Sequence, residues 1–365
     1  MIEADDKINV GYWVKLEDRR IECRLCPRLC HMRPGQRGLC FIRRAREDGE
    51  GMELTGYGRS TGFCIDPIEK KPLNHFLPGS SVLSFGTAGC NLACAFCQNW
   101  DISKSREIAR LSSHAMPETI ARAAERLGCA SVAYTYNDPV IFMEYALDVA
   151  AACRARGIKN VAVTAGFVCE EPRKRLFAGM DAANVDLKAF TDRFYRKLCV
   201  CALKPVQDTL RYLIHETNVW TEITTLLIPG ENDSDEEIDA LTTWVARELR
   251  DDVPLHFTAF HSDYRMLDKP PTPLATLQRA RGIGTKNGLK HVYVGNIHDP
   301  AREATLCPTC GAPCIGRDRY LITSYELDES GCCKRCGDRM AGVFAGKPGE
   351  WGRRRLPVQI ERYAA

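Results

Sequence analysis

The chain has no uninterrupted run of roughly eighteen apolar residues, which excludes a conventional membrane-spanning helix. Its first ten residues, Met1 to Val10, are acidic and polar. They lack the positive start and apolar stretch of a secretory signal, so a cytoplasmic, reducing and oxygen-poor setting is expected. Net charge is scarce: 50 Lys and Arg stand against 47 Asp and Glu, a formal +3. That balance gives no support to a nucleic-acid partner, because phosphate recognition needs clustered basic side chains. A zinc-ribbon RNA-binding or RNA-modifying protein is therefore the weakest functional class for this sequence. Internal repeats and low-complexity segments are also absent. What remains is a globular composition, 45% hydrophobic and 27% charged. At 365 residues the chain can hold one catalytic domain of roughly 200–250 residues with small modules beside it.

Cysteine is the exception to this ordinary composition. There are 19, an odd number, and most fall into clusters. Disulfides are not expected without a secretory signal, so clustered cysteines point to metals. Cys23, Cys26, Cys30 and Cys40 form C-x2-C-x3-C-x9-C among Pro27, Pro34, Gly35 and Gly38. This knuckle is too short for its own core, and a bound metal would supply the missing stability. Zinc and an auxiliary iron–sulfur cluster both suit four thiolates. Near the other end, Cys307-Pro-Thr-Cys310 and Cys333-Lys-Arg-Cys336 have the spacing of a zinc ribbon. Strand character runs from Tyr320 to Tyr325 between them, and Cys314 and Cys332 are alternative ligands. A third group, Cys90, Cys94 and Cys97, lies in G-C-N-L-A-C-A-F-C-Q-N. Three thiolates are one short of a closed site, and a cluster held by three leaves one iron open for chemistry. The competing reading is zinc with a distant fourth ligand. Cys64, Cys129, Cys153, Cys169, Cys199 and Cys201 read as buried small hydrophobes.

Between the cysteine groups, strand and helix signals alternate. Apolar runs at Ser81–Phe85, Ala130–Thr135, Asn160–Thr164, Ala182–Leu187, Val219–Ile228 and Pro254–Phe260 read as strands, with His291–Val294 as a last one. Helical periodicity marks Pro117–Leu127 and Phe142–Arg156. Parallel β/α units closing around a site at the strand C-termini follow from that pattern. The expected architecture is α/β: a partial (β/α)6-type barrel over residues 61–300, with an N-terminal four-cysteine module over 1–60 and a C-terminal zinc-ribbon-like module and tail over 301–365. Polar residues near the later strand ends are candidate substrate contacts: Glu222 and Thr224, then His256 with Thr258, then His261, Asp263, Tyr264 and Arg265. Glu222 and His256 read alternatively as satisfied interior groups, and His75 reads as a packing residue. Asp233 to Glu237 reads as a helix N-cap with acidic first turn. Arg353-Arg354-Arg355 reads as a solvated tail.

Several segments carry a family resemblance. E-K-K-P-L-N-H-F-L-P-G-S (Glu69 to Ser80), A-G-C-N-L-A-C-A-F-C-Q-N-W-D-I-S (Ala88 to Ser103), A-Y-T-Y-N-D-P (Ala133 to Pro139), N-V-D-L-K (Asn184 to Lys188), L-I-P-G-E-N-D-S (Leu227 to Ser234) and V-Y-V-G-N (Val292 to Asn296) are among them. Together they resemble the AmmeMemoRadiSam system enzymes of the radical S-adenosylmethionine (SAM) superfamily, which are related to pyruvate formate-lyase activating enzymes. The resemblance implies an oxidoreductase in which Cys90, Cys94 and Cys97 hold a [4Fe-4S] cluster. SAM would chelate the open iron and be cleaved reductively to a 5′-deoxyadenosyl radical that abstracts hydrogen from a substrate. The resemblance further implies that Phe96 lines the adenine side. It places Tyr136, Asn137 and Asp138 at the end of the second strand, beside the SAM ammonium. Asp186 and Lys188 would make ribose, carboxylate or monovalent-cation contacts. Asp138 stands where relatives usually carry Glu. Val163-Thr164-Ala165-Gly166 departs from the commoner V-T-N-G, leaving Thr164 as the cofactor-side residue there. The implied partners are an electron donor such as flavodoxin or ferredoxin and Memo-like and AMMECR-like proteins. A glycyl-radical-enzyme activase acting on a protein partner is the alternative activity.

Overall fold

The computed structural model describes residues 7–104 and 113–364. Eight strands make up the body of its ten-stranded central sheet, the other two being short pieces paired with the first: β1 (Arg59–Pro67), β2 (Ser81–Gly86), β3 (Ser131–Tyr134), β4 (Lys159–Thr164), β5 (Ala182–Asp186), β6 (Trp220–Leu227), β7 (Leu255–Ala259) and β8 (Val292–Gly295). They lie side by side in sequence order. β2 to β8 are parallel, and β1 runs antiparallel on the outer side of β2. One longer helix fills each parallel crossover, with shorter helical turns beside some of them, in order α1 (Pro117–Arg126), α2 (Met143–Arg154), α3 (Glu170–Ala178), α4 (Lys204–Glu216), α5 (Asp235–Trp244) and α6 (Leu274–Lys286). Six β/α units and a closing seventh parallel strand therefore make an open α/β barrel, as the alternating pattern predicts. Among the described residues, no helix is long and apolar enough to cross a membrane.

Local signals explain the helix limits. Pro117 supplies the fixed φ of a first turn, and Gly128 takes φ +64° just beyond α1, where other residues would be strained. Ser234 caps α5 by accepting from Glu237 N (3.2 Å), and Asp235, Glu236 and Glu237 complement the helix dipole.

Strand alternation decides what faces inward. Leu83, Phe85, Val132, Tyr134, Ala162, Val185, Ile223 and Phe257 belong to the main core, which packs the helices onto the sheet. Residues of opposite phase, Val82, Ala133, Val161 and Ala182, meet Ile68, Leu73 and Phe76 in a second apolar cluster. The segment between β1 and β2 thus plugs the N-terminal end of the barrel interior. Further along the same inner faces the residues turn polar: Asn184, Asp186, Thr224, His256 and Thr258. The C-terminal strand ends are left for a site.

Small sheets flank the barrel. Lys7–Val10, Met52–Thr55 and Arg43–Ala45 form one, and Trp13–Lys15, Ile21–Cys23 and His31–Met32 another. Thr305–Leu306, Pro313–Asp318 and Leu321–Tyr325 form the C-terminal hairpin sheet. Arg353, Arg354 and Arg355 are exposed, as expected of a solvated run, but the tail is not loose. Leu356–Pro357 pairs antiparallel with β1, and Arg353 is ion-paired to Asp318, so the chain after the arginines is docked on the sheet edge.

Candidate active site

The loop after β2 carries Cys90, Cys94 and Cys97, and all three line one cavity of about 380 Å³ at the C-terminal strand ends. That volume is within the range of small-molecule and cofactor sites. Two backbone features fix the loop. Gly89 has φ +88°, and a Cβ there would lie 2.0 Å from the Cys40 carbonyl oxygen. Asn137 bridges it from the β3 end, accepting from Thr87 N (3.1 Å) and donating to Thr87 Oγ1 (3.0 Å) and the Gly89 carbonyl (2.9 Å). Asn137 lines the cavity, but its amide is spent on holding the cysteine loop.

The thiols sit among donors and cations. Leu92 N–H points at Cys90 Sγ (3.4 Å), and Ser103 Oγ lies 3.1 Å from Cys97 Sγ. A hydrogen bond from Cys199 and the nearby Lys188 and Lys104 overcome burial and bring the Cys94 thiol down to about 7. Three thiols opening on one cavity, amid N–H donors and ammonium groups, suit an anionic iron–sulfur centre with one open iron.

The remaining expected cofactor residues converge on the same space. Phe96, Tyr136, Asp138, Thr164, Asp186 and Lys188 all line it. Lys188 donates to Asp186 Oδ2 (2.6 Å). Burial works against the Lys188 charge, yet the Asp186 carboxylate raises its pKa well above the usual value. Phe96 packs on Phe194 with ring centroids 5.6 Å apart. Asp138 is committed locally: Oδ1 accepts from Val140 N (3.1 Å) and Thr164 Oγ1 (2.9 Å), and Oδ2 from Ala165 N (2.9 Å). Burial pushes its pKa up, while those three bonds favour the charged form.

The expected substrate residues divide. Thr224 lines the cavity, and His256 lines an adjoining one of about 270 Å³. Thr258, Asn296 and Tyr320 border both spaces, so the two adjoin. Of the two readings of Glu222, substrate contact is corrected and satisfied interior group holds: it faces inward but lines neither cavity. Its carboxylate accepts from Asn74 N (2.9 Å), His75 N (2.7 Å), Trp220 Nε1 (3.0 Å) and His256 Nε2 (2.7 Å), which occupies both oxygens. His75 is the packing residue expected, hydrogen-bonded to the Tyr293 hydroxyl and the Ala341 carbonyl. His261 and Tyr264 are likewise corrected. His261 is exposed, and Tyr264 stacks on Trp100 outside the cavities, with ring centroids 5.7 Å apart. Arg265 N donates to the Ala95 carbonyl (3.1 Å), so this segment braces the cysteine loop from behind.

Three contributors escaped sequence reasoning. Cys199 was grouped with inert buried thiols but touches Cys94. Tyr320 sits in the turn of the C-terminal hairpin, which reaches back over the barrel mouth; its aromatic ring in a polar turn was the available signal. Glu69 lines the smaller cavity with a buried Oε2 that has no partner among the described residues, and burial lifts its pKa to about 7.

The C-terminal quartet is compact. The ligand atoms of Cys307, Cys310, Cys333 and Cys336 all lie within 4.8 Å of one another, whereas Cys314 and Cys332 fall outside the set. Its spacing fits a tetrahedral metal ion.

Residues 85–241 match the Radical SAM superfamily model, so the chain carries a domain of that superfamily of enzymes. Membership implies a [4Fe-4S] cluster and SAM, which the trio and its cavity fit. The chain is 39% identical over 331 residues to the uncharacterized protein MJ0808 of Methanocaldococcus jannaschii, covering 90% of this chain and 97% of that protein. Among solved structures it is similar to a domain of a pyruvate-formate lyase-activating enzyme from Bacteroides vulgatus. That match is 18% identical, has a TM-score of 0.41 and covers 46% of this chain and 99% of the other. A radical SAM methyltransferase from Sphaerobacter thermophilus is 16% identical, with a TM-score of 0.48 and coverage of 60% and 67%.

Proposed function

We propose that the protein is a radical SAM enzyme of the AmmeMemoRadiSam type that abstracts hydrogen from a small molecule held beside SAM. The observation that carries this reading is that the cysteine-lined cavity adjoins the smaller chamber across shared lining residues. When bound at the trio, the cluster and SAM supply the radical chemistry, and the protein supplies binding, orientation and exclusion of water. Lys188 and Asp186 offer a fixed cation and carboxylate to the polar ends of SAM, and Phe96 offers an apolar wall. Thr224, His256 and Glu69 face the substrate side. Tyr320 lines both cavities where they adjoin, which favours a small substrate over the loop of a large partner that a glycyl-radical activase must admit. A zinc ion in the C-terminal quartet would hold the hairpin that carries Tyr320. A flavodoxin or ferredoxin donor, Memo-like and AMMECR-like partners and a cytoplasmic setting belong to the same reading.

The test is anaerobic. Reconstituted protein with reductant is expected to form 5′-deoxyadenosine from SAM, and Cys94→Ala to abolish it. Undiminished SAM cleavage by that variant would overturn the reading.

A further inference from the structure

The N-terminal cysteines make a site that the radical chemistry does not use. Cys23, Cys26, Cys30 and Cys40 line one small cavity together with Arg43, Asn91 and Ile141. Cys23, Cys26 and Cys40 are buried, and Cys30 is partly so. Arg43 is buried beside them, donating to the Ile141 carbonyl (2.9 Å) and ion-paired to Glu144. The knuckle is also docked on the radical loop. The Cys40 carbonyl abuts Gly89, Arg28 Nε donates to the Asn91 carbonyl (3.0 Å), and Cys169 N donates to the Leu25 carbonyl (3.1 Å).

Spacing separates the two metal chemistries open to four thiolates. Tetrahedral bonds of about 2.3 Å to zinc bring sulfurs roughly 3.8 Å apart. The C-terminal quartet shows that packing, with Cys307 and Cys336 sulfurs 3.5 Å apart and those of Cys310 and Cys333 3.9 Å apart. Among the described residues it is the one group of three or more metal-ligating side chains within 4.8 Å. No three of the N-terminal four meet that limit, and neither does the trio that suits a cluster. A cubane binds one thiolate per iron at its outer corners and so holds its sulfurs farther apart than a single ion does.

We infer that Cys23, Cys26, Cys30 and Cys40 hold a second [4Fe-4S] cluster, closed on four thiolates, against the loop of the first. With no open iron, this centre has no place for SAM. The buried Arg43 guanidinium would offset part of its negative charge. The inference is independent of SAM cleavage at the trio.

Metal analysis of the full chain decides it. Anaerobically reconstituted protein is expected to hold eight irons, eight sulfides and one zinc. Cys90→Ala/Cys94→Ala/Cys97→Ala is expected to keep four irons and four sulfides, with a reduced-cluster EPR signal that SAM does not alter. Four irons and two zincs in the unaltered protein would overturn the inference without requiring any variant to fold. So would loss of all iron from the triple variant, which leaves the trio reading intact. Four irons in both proteins would instead keep the quartet and sink the trio.

Discussion

Two buried carboxylates of one barrel illustrate how neighbours set the role of a residue. Glu222 gathers two backbone N–H groups, an indole and an imidazole, and burial is outweighed so that its pKa falls to about 2. Glu69 has one bond, from Gly79 N (2.7 Å), and burial dominates. Its carboxyl, near 4.5 in the unfolded chain, titrates at about 7 when folded. The folded state therefore holds a proton that the unfolded chain has released. This contribution is fully present below about pH 4.5 and is lost as pH rises through 7. Glu69→Gln keeps the acceptor for Gly79 and is expected to flatten the fall in stability between pH 5 and 8, by at most about 3 kcal/mol. Chemical denaturation across that range checks it, and an unchanged slope would place the titration elsewhere.

The cysteine loop owes its shape to elements that are distant in sequence. Gly89 lies under the Cys40 carbonyl, Asn137 reaches over from the end of β3, and Arg265 braces the rear. Gly89→Ala must move the N-terminal knuckle or the loop, because 2.0 Å is far inside contact distance. Iron bound at the trio is expected to fall by more than half, while metal in the C-terminal quartet stays constant. Elemental analysis with cluster absorbance reads both. Such long-range dependence also explains what the sequence could reveal. The strands β2 to β8 were legible from apolar runs and the trio from its spacing, since both signals are local. Glu222 was legible as inward-facing, with substrate contact and interior saturation both left open. Its saturation depends on backbone N–H groups of Asn74 and His75, about 150 residues away, and no periodicity reports that. His261 and Tyr264 misled because they follow a strand end, yet their segment turns outward onto Trp100.

The whole molecule encloses its active site with material from both ends of the chain. The N-terminal knuckle lies against one side of the cysteine loop, while the C-terminal hairpin brings Tyr320 to the border of both cavities. Tyr320→Ala removes only the hairpin tip. It is expected to leave iron content unchanged and to weaken SAM binding to the loaded protein about tenfold, or roughly 1.4 kcal/mol. Isothermal titration measures this, and unaltered affinity would confine Tyr320 to the smaller chamber. Tyr320 was harder to find than the trio because its part depends on where a hairpin lands.

The contact between Gly89 and the Cys40 carbonyl bears on how the centre is assembled. With the knuckle seated, the loop is backed by Cys40, while Cys90, Cys94 and Cys97 open on the cavity at the strand ends. On the proposed function, iron and sulfide would enter by the cavity that SAM and substrate later use, beside the Tyr320 hairpin. Maturation and catalysis would then compete for the same space, and a molecule occupied by substrate would have to release it before its cluster could be rebuilt.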